Sequence, residues 1–326
     1  MKRIKTINKK YKVAGIFSGI GGFELGFIHA GFNVVWANDF DKYSVETYRK
    51  NIGEHIVLGD IRKINNIPRH DVLIGGFPCQ PFSTLGKLEG FKDKERGNLF
   101  FIIKKLIKKN KTKVIVLENV KNLIHHDNKK TFRRILNELN DLGYDCYYQI
   151  LNTADFGIPQ RRNRVFIVGF LRSSFKKDIF NFPNKMPLKL STQDLLDKNV
   201  DERYFLSKKI SKTILGRGTK GYIVNPTIDL PISKTLTATM HKMHRASQDN
   251  YITDNINREK FKSDTKINIR KLTPNECRKL QGFPNDWQQV VSDTQAFKQF
   301  GNAVTVDVSY YLAREIMKYL DKNLKK

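Results

Sequence analysis

A thiol stands between two prolines in the stretch Gly75-Gly76-Phe77-Pro78-Cys79-Gln80-Pro81-Phe82-Ser83. The residues before it, Asp71-Val72-Leu73-Ile74, read as a buried parallel strand, and the glycines and prolines stop regular structure directly after it. Cys79 is therefore placed just past a strand end in a stiff turn. Ligands bind at that edge in open α/β sheets, and a thiol there is a candidate nucleophile. A free cysteine is more often an inert packing residue, but an inert one has no need of so much backbone punctuation. Three carboxylates share the same kind of position: Asp39, Asp60 and Glu118 each follow an apolar run. So does a glycine turn, Phe17-Ser18-Gly19-Ile20-Gly21-Gly22. A nucleophile, carboxyl groups able to move protons and a glycine turn able to cradle a cofactor make a chemical set that packing does not explain.

The elements that must position this set alternate. Strands are expected over 11–17, 33–37, 55–58, 71–74 and 112–117, with helices beginning near Phe23, running to about Asn51, and spanning about 98–110. Gly31 should end the first helix. This alternation predicts a doubly wound, mostly parallel α/β sheet with right-handed crossovers. It also sends residues 17–22, Asp39, Asp60, Cys79 and Glu118 to one edge. The glycine turn is a weak signal alone. It gains from Asp39, about twenty residues on, where a carboxylate can bind ribose hydroxyls. An adenosine-containing cofactor follows, with NAD and S-adenosylmethionine both open on these residues.

A helix is expected over about 127–142, a strand over 144–151 and another over 165–170, the last preceded by Arg161, Arg162 and Arg164. Those arginines fit a solvated face or an anion clamp. From about 171 to 269 the alternation lapses, which predicts a second, smaller, irregular domain. Within it 232–239 reads as a strand, and His241-Lys242-Met243-His244-Arg245 as a basic stretch suited to phosphates or base edges. Thr273-Pro274-Asn275-Glu276 has the pattern of a capping box with proline at the first helical position. The last helix is expected over about 303–320.

Composition narrows the class. The 326 residues are 40% hydrophobic and 11% aromatic, enough for an ample core. The basic N-terminus is not followed by an apolar segment, so a signal peptide is not expected, nor is a membrane span. Cys79, Cys146 and Cys277 are odd in number and far apart, which fits a reducing cytoplasm and argues against both a disulfide framework and a clustered metal site. Lys and Arg number 59 against 32 Asp and Glu, a net charge of +27. That excess favours a polyanionic partner. Abundant Lys, Asn and Ile also accompany genomes rich in A and T, so charge alone does not decide.

Taken together and in order, these motifs resemble those of bacterial-type cytosine-5 DNA methyltransferases. Residues 17–22 look like that family's S-adenosylmethionine loop, and Gly76 to Ser83 its nucleophile motif. Glu118-Asn119-Val120, Gln160 to Arg164 and Gln299 to Val304 match three further motifs. Residues 270–274 through 281–284 resemble the segment that follows the target-recognition domain. One departure is visible: Asp39-Phe40 stands where the family usually has Glu and an aromatic residue.

The resemblance implies a catalytic and cofactor domain over 1–180, completed by a C-terminal helix at 300–326. A target-recognition domain spans 181–269, with a connecting segment at 270–299. It implies Cys79 as nucleophile at carbon 6 of a cytosine and Glu118, its pKa raised, as the group that protonates ring nitrogen 3. Arg164 would hold the base's carbonyl oxygen, with Arg162 supporting the loop or the anion and Asn119 positioning the Cys79 loop. S-adenosylmethionine would contact Phe17, Ser18, Gly19, Gly21, Gly22, Asp39, Phe40, Asp60, Ile61, Pro78, Leu99, Asn302 and Val304. Duplex DNA would contact Gln80, Ser83, Thr235, Leu236, Lys242, His244 and Arg245, with the base flipped out and the loop from Gln80 to Arg96 closing over it. The expected setting is cytoplasmic, a monomer on DNA, beside a restriction endonuclease for the same sequence. Methylation of tRNA on the same fold, a catalytically silent DNA-binding protein and an NAD-dependent oxidoreductase are the rival readings. The last leaves the Pro-Cys-Gln motif, Glu118-Asn119 and the charge unexplained.

Overall fold

The structure is a computed structural model that describes residues 10–77, 99–216, 218–219, 222–223, 227–242, 246–261 and 265–325. The described chain falls into two compact units. One lies within Met1–Asn152, Asn163–Lys185 and Val304–Lys326; the other comprises Thr153–Arg162 and Met186–Ala303.

The first unit is built on a seven-stranded sheet. In chain order its strands are β1 (Lys12–Ile16), β2 (Asn33–Asp39), β3 (Ile56–Leu58), β4 (Val72–Gly76), β5 (Val114–Val120), β6 (Tyr144–Asn152) and, after the short β7 (Gln160–Arg161) of the second unit, β8 (Asn163–Leu171). The spatial order is β3-β2-β1-β4-β5-β8-β6. The first five are parallel, and β8 runs antiparallel to both β5 and β6. The sheet is thus mostly parallel and doubly wound, with one reversed strand, β8, next to its edge strand β6. The helices are α1 (Gly22–His29), α2 (Lys42–Asn51), α3 (Leu99–Asn110) and α4 (Lys130–Asp141). Alternate strand residues on one face, among them Ile16, Leu73, Ile115 and Ile167, bury against Phe100, Ile103, Phe132 and Ile135 of α3 and α4.

Local chemistry explains the element ends. Asp41 caps α2 by accepting from the amide of Tyr43 at 2.9 Å. Gly31, at φ 100°, follows α1 as expected. Helix α4 starts three residues later than the sequence suggests, because Asp127, Asn128 and Lys129 are all left-handed, at φ 48°, 51° and 70°. Asn and Asp tolerate that region best.

The second unit carries β9 (Phe205–Ser207), α5 (Lys208–Leu215), β10 (Gly218–Thr219), β11 (Tyr222–Ile223), β12 (Ser233–Lys234), β13 (Tyr251–Thr253), α6 (Asn255–Arg258), β14 (Lys266–Lys271), α7 (Pro274–Leu280) and α8 (Asp293–Asn302). The strand expected over 232–239 shortens to β12, paired with β7. Its ladder stops because the Leu236 amide donates to the side chain of Gln160, at 3.0 Å, instead of to a strand. The capping box of α7 is present, with Pro274 at the helix start and Thr273 and Glu276 bonded reciprocally. The first unit ends in α9 (Val306–Asn323). The last helix, expected over about 303–320, is α9, and another helix, α8, precedes it where only a connecting segment was expected. Ala303 and Thr305 between them are extended, with ψ 146° and 127°. Among the described residues no helix is long and apolar enough to cross a membrane.

Candidate active site

Parallel register lines up the strand ends. Asn38 pairs with Ile16, Ile16 with Gly75 and Gly75 with Leu117. The residues one step on, Asp39, Phe17, Gly76 and Glu118, therefore form the next row, at the edge where a doubly wound sheet binds ligands. Gly76 suits this row, since a Cβ there would lie 3.0 Å from Oε2 of Glu118. Val304 reaches the same place, its Cγ2 4.0 Å from that position.

Glu118 and Arg164 form an ion pair, Nε to Oε1 at 2.9 Å, with both side chains largely buried. They meet because β5 and β8 are antiparallel. Glu118 is opposite Phe166 and Arg164 opposite Val120, so the two are diagonal neighbours on one face. Asn119, the next residue, points to the other face and is 3% exposed. Its amide donates to the carbonyl of Phe77 at 2.8 Å. That carbonyl belongs to the residue just before Pro78-Cys79. Pro78, Cys79, Gln80 and Ser83, and the loop from Gln80 to Arg96, lie outside the described residues.

The glycine turn is tightly wound: Phe17, Gly19 and Gly21 have φ of 53°, 53° and 83°. Ser18 donates its amide to Asn38 at 3.0 Å. Asp39 closes the turn from the next strand, accepting from the Gly19 amide at 2.7 Å and from the Asp41 amide at 2.8 Å. Burial raises the Asp39 carboxyl above its ordinary pKa, against these bonds. Phe40 beside it is 76% exposed, a large apolar ring left open at the sheet edge. Asp60 caps the turn at Ile61–Lys63 and pairs with Arg62, whose hydrogen bonds hold its carboxyl at about 2. Ile61 is buried and Leu99, at the start of α3, half-buried.

One acidic residue of this edge escaped the sequence reading. Glu24, in the first turn of α1, is 1% exposed, and its Oε2 has no hydrogen-bond partner. The only hint was a glutamate in a turn that is otherwise glycine and apolar side chains.

In the second unit Arg162 is 2% exposed and gives its guanidinium to backbone carbonyls: Leu236 at 2.9 Å, Gly301 at 3.1 Å and Ala303 at 2.8 Å. It acts as a clamp on three segments. Thr235 donates its hydroxyl to the carbonyl of Arg161 at 2.6 Å, and Leu236 is 1% exposed. Both anchor their segment from inside. Gln160 and Gln281, quoted above only within motifs, share the work. Gln160 donates to the Leu280 carbonyl at 2.6 Å and Gln281 to that of Phe300 at 2.5 Å. Asn302 is exposed at the end of α8. Lys242 ends a short turn at Met240–Lys242, and His244 and Arg245 lie outside the described residues. Among the described residues no cluster of His, Cys, Asp or Glu could hold a metal ion.

Known proteins are similar to this chain in sequence and in fold. The family described as C-5 cytosine-specific DNA methylase matches residues 11–318. The chain is 39% identical over 327 residues to the Type II methyltransferase M.SsoII of Shigella sonnei, covering 96% of this chain and 82% of that protein. It is 39% identical to the Type II methyltransferase M.Bsp6I of Bacillus sp. (strain RFL6), covering 94% and 98% respectively. In fold it is similar to the crystal structure of S. pombe Dnmt2 methyltransferase, with a TM-score of 0.74, 20% identity, and coverage of 96% of this chain and 99% of that one. A match over nearly the whole chain, with a sheet edge that holds the Glu118–Arg164 pair, means that the protein belongs to the C-5 cytosine-specific DNA methylase family and is a DNA cytosine-5 methyltransferase.

Proposed function

We propose that the protein methylates carbon 5 of a flipped-out cytosine within one short duplex DNA sequence, through a covalent adduct with Cys79. The observation that carries this reading is the joint placement of the Glu118–Arg164 pair and the Asn119–Phe77 hydrogen bond at the end of β4 and β5. Together they put a carboxyl, a guanidinium and the start of the Cys79 turn at neighbouring strand ends.

The residues divide the work as follows. The Cys79 thiolate adds to carbon 6, and its electron pair moves the ring's π electrons toward carbon 5. Glu118, a carboxylate paired with Arg164 in the free protein, takes up a proton as the base enters and donates it to ring nitrogen 3, which makes that addition easier. Arg164 leaves Glu118 and binds the carbonyl oxygen as negative charge grows there. Substrate binding thus exchanges one ion pair for two contacts with the base. Carbon 5 then accepts a methyl group, a base takes the carbon 5 proton, the thiolate departs, and ring nitrogen 3 gives its proton back to Glu118. Asn119 holds in a fixed place the carbonyl of Phe77, the last described residue before Pro78-Cys79.

S-adenosylmethionine supplies an electrophilic methyl group when bound. The chain suits it: a turn with two left-handed glycines, a carboxylate at Asp39 suited to ribose hydroxyls, the exposed ring of Phe40, and an orphaned buried oxygen on Glu24. Phe17, Ser18, Gly19, Gly21, Gly22, Asp39, Phe40, Asp60, Ile61, Pro78, Leu99, Asn302 and Val304 would hold it. The duplex would be read by the second unit, with Gln80, Ser83, Thr235, Lys242, His244 and Arg245 near it and Leu236 as a buried support. The same reading has the enzyme acting, as a cytoplasmic monomer, beside a restriction endonuclease of the same specificity; the relatives' designation as Type II methyltransferases supports the modification role.

Methyl transfer from labelled S-adenosylmethionine to duplex DNA, wild type beside Cys79→Ser, tests the reading, with products mapped by bisulfite sequencing. Wild type should yield 5-methylcytosine at one short motif and the variant none. Transfer to tRNA alone, or equal activity of the variant, would reject it.

A further inference from the structure

Glu24 is a buried carboxyl, one of whose oxygens, Oε2, has no hydrogen-bond partner. The other, Oε1, fills the space beside Gly15 at the end of β1, 2.1 Å from where a Cβ would stand. The Ser18 hydroxyl lies 2.9 Å from that same point, beside the carboxyl. The charged and titratable groups that face Glu24 are Asp39, whose charge opposes its ionisation, and Tyr48; no described cation offsets it. Buried polar atoms are normally paired, and an unpaired carboxyl in a cleft-forming turn marks a ligand.

We propose that Glu24 receives the α-ammonium group of the cofactor's amino-acid end. The inference rests on the cofactor reading given above. That end of S-adenosylmethionine is a zwitterion, with carboxylate and ammonium on one carbon. The N-terminus of α1, Gly22–His29, follows directly on the glycine turn and attracts the carboxylate. The ammonium, one carbon away, must then find an acceptor at the same turn. Glu24, the third residue of α1, has the orphaned oxygen available there, with the Ser18 hydroxyl beside its carboxyl. Sulfonium and ammonium are both cationic, but only the ammonium donates hydrogen bonds, so the pairing selects the amino group.

The proposal has a proton to account for. Burial pushes the Glu24 carboxyl up to about 7, the Ser18 hydroxyl working the other way. In the free protein at pH 7 it is neutral about half of the time. Seating a cation beside it breaks the carboxyl O–H bond, sends that proton to solvent and leaves an ammonium–carboxylate pair. No electron changes hands.

The test is calorimetric binding of S-adenosylhomocysteine, which has the same amino-acid end and no reactive methyl group. A desamino analogue, with hydrogen in place of the amino group, serves as control. Titrations in two buffers of different ionisation enthalpy count the protons released. Wild type should prefer S-adenosylhomocysteine by about 10- to 100-fold and release roughly half a proton at pH 7, more at pH 6. Glu24→Gln should lose both the preference and the release, and bind the desamino analogue as wild type does. Equal affinity of wild type for the two ligands overturns the proposal, as does a Glu24→Gln protein that keeps the preference and the release. The two wild-type readouts stand even if that variant does not fold: no proton released at pH 6 is enough to reject the idea. If wild type binds neither ligand, the cofactor reading falls as well; if it binds both well but alike, only the Glu24 assignment falls.

Discussion

Arg164 reaches diagonally across the antiparallel step from β8 to β5, and its Nε lies 2.9 Å from Oε1 of Glu118. The reversed strand is what makes this possible. A parallel β8 would carry Arg164 to the opposite end of the sheet. The pair is diagnostic of the proposed chemistry because each partner must let go of the other to serve the base. Glu118→Gln keeps the shape and a hydrogen-bond donor but not the transferable proton. We expect methyl transfer to fall about 10²- to 10⁴-fold, the range of a lost general acid, with duplex binding by gel shift little changed. A variant within tenfold of wild type would remove Glu118 from the proton transfer.

Asn119→Ala should strip the Phe77 carbonyl of its donor. A buried acceptor left unpaired costs about 1–3 kcal/mol, which in a protein of this size lowers the melting temperature by several degrees. The informative readout is elsewhere: alkylation of Cys79 by a thiol reagent should change in rate if the bond presets the turn. An unchanged alkylation rate would confine Asn119 to a structural part.

Arg162→Met should be more damaging to folding than any change at Arg164. Its guanidinium serves three backbone carbonyls from a site that is 2% exposed. Each charge-assisted bond is worth about 1.5–3 kcal/mol, and the vacated carbonyls have no solvent to turn to. Denaturant unfolding should show a loss of at least about 3 kcal/mol. A variant as stable as wild type but inactive would instead move Arg162 into contact with substrate.

Glu24 also predicts how stability depends on pH. Its folded pKa of about 7 lies above the ordinary 4.5. Between those values the unfolded chain has ionised while the folded protein keeps its proton. The unfolded state binds fewer protons, so this group's contribution is fully present below about pH 4.5 and is lost as pH rises to about 7, by about 3 kcal/mol in all. Wild type should therefore lose more stability than Glu24→Gln between pH 5 and pH 8 in the absence of cofactor. Parallel pH profiles for the two proteins would show that Glu24 is already ionised.

Gly26→Val probes the packing of α1 on α9. A Cβ at position 26 would stand 2.3 Å from Oγ of Ser309 and 2.6 Å from the Tyr310 amide nitrogen. Backbone atoms do not yield, so overpacking of about 1–3 kcal/mol is expected. The double variant Gly26→Val with Ser309→Gly should recover part of it. A neutral single variant would mean that the two helices can separate.

What the sequence determined by itself was periodic or local. Apolar runs separated by helical patterns specify a doubly wound sheet, because strands buried on both faces must be apolar throughout. Strand ends then fix which residues share an edge, so Asp39, Asp60 and Glu118 were legible as one group. So was the capping box at Thr273 and Glu276, which needs only residues three apart. Tertiary structure decided everything that depends on long-range pairing. The reversal of β8 aims Arg164 at Glu118, and nothing in the local pattern of Asn163–Leu171 says which way that strand runs. Arg162 and Arg164 look equivalent in sequence, two residues apart. Yet one is spent on carbonyls that lie 74 to 141 residues away and the other on a carboxylate. The break between α8 and α9 is likewise remote in origin, since Arg162 takes the carbonyl of Ala303. Glu24 could be read as one more surface acid of an amphipathic helix until the fold buried it against Gly15 with no described cation beside it. Burial is a property of the whole chain, and it is burial that turns an ordinary carboxyl into one waiting for a partner.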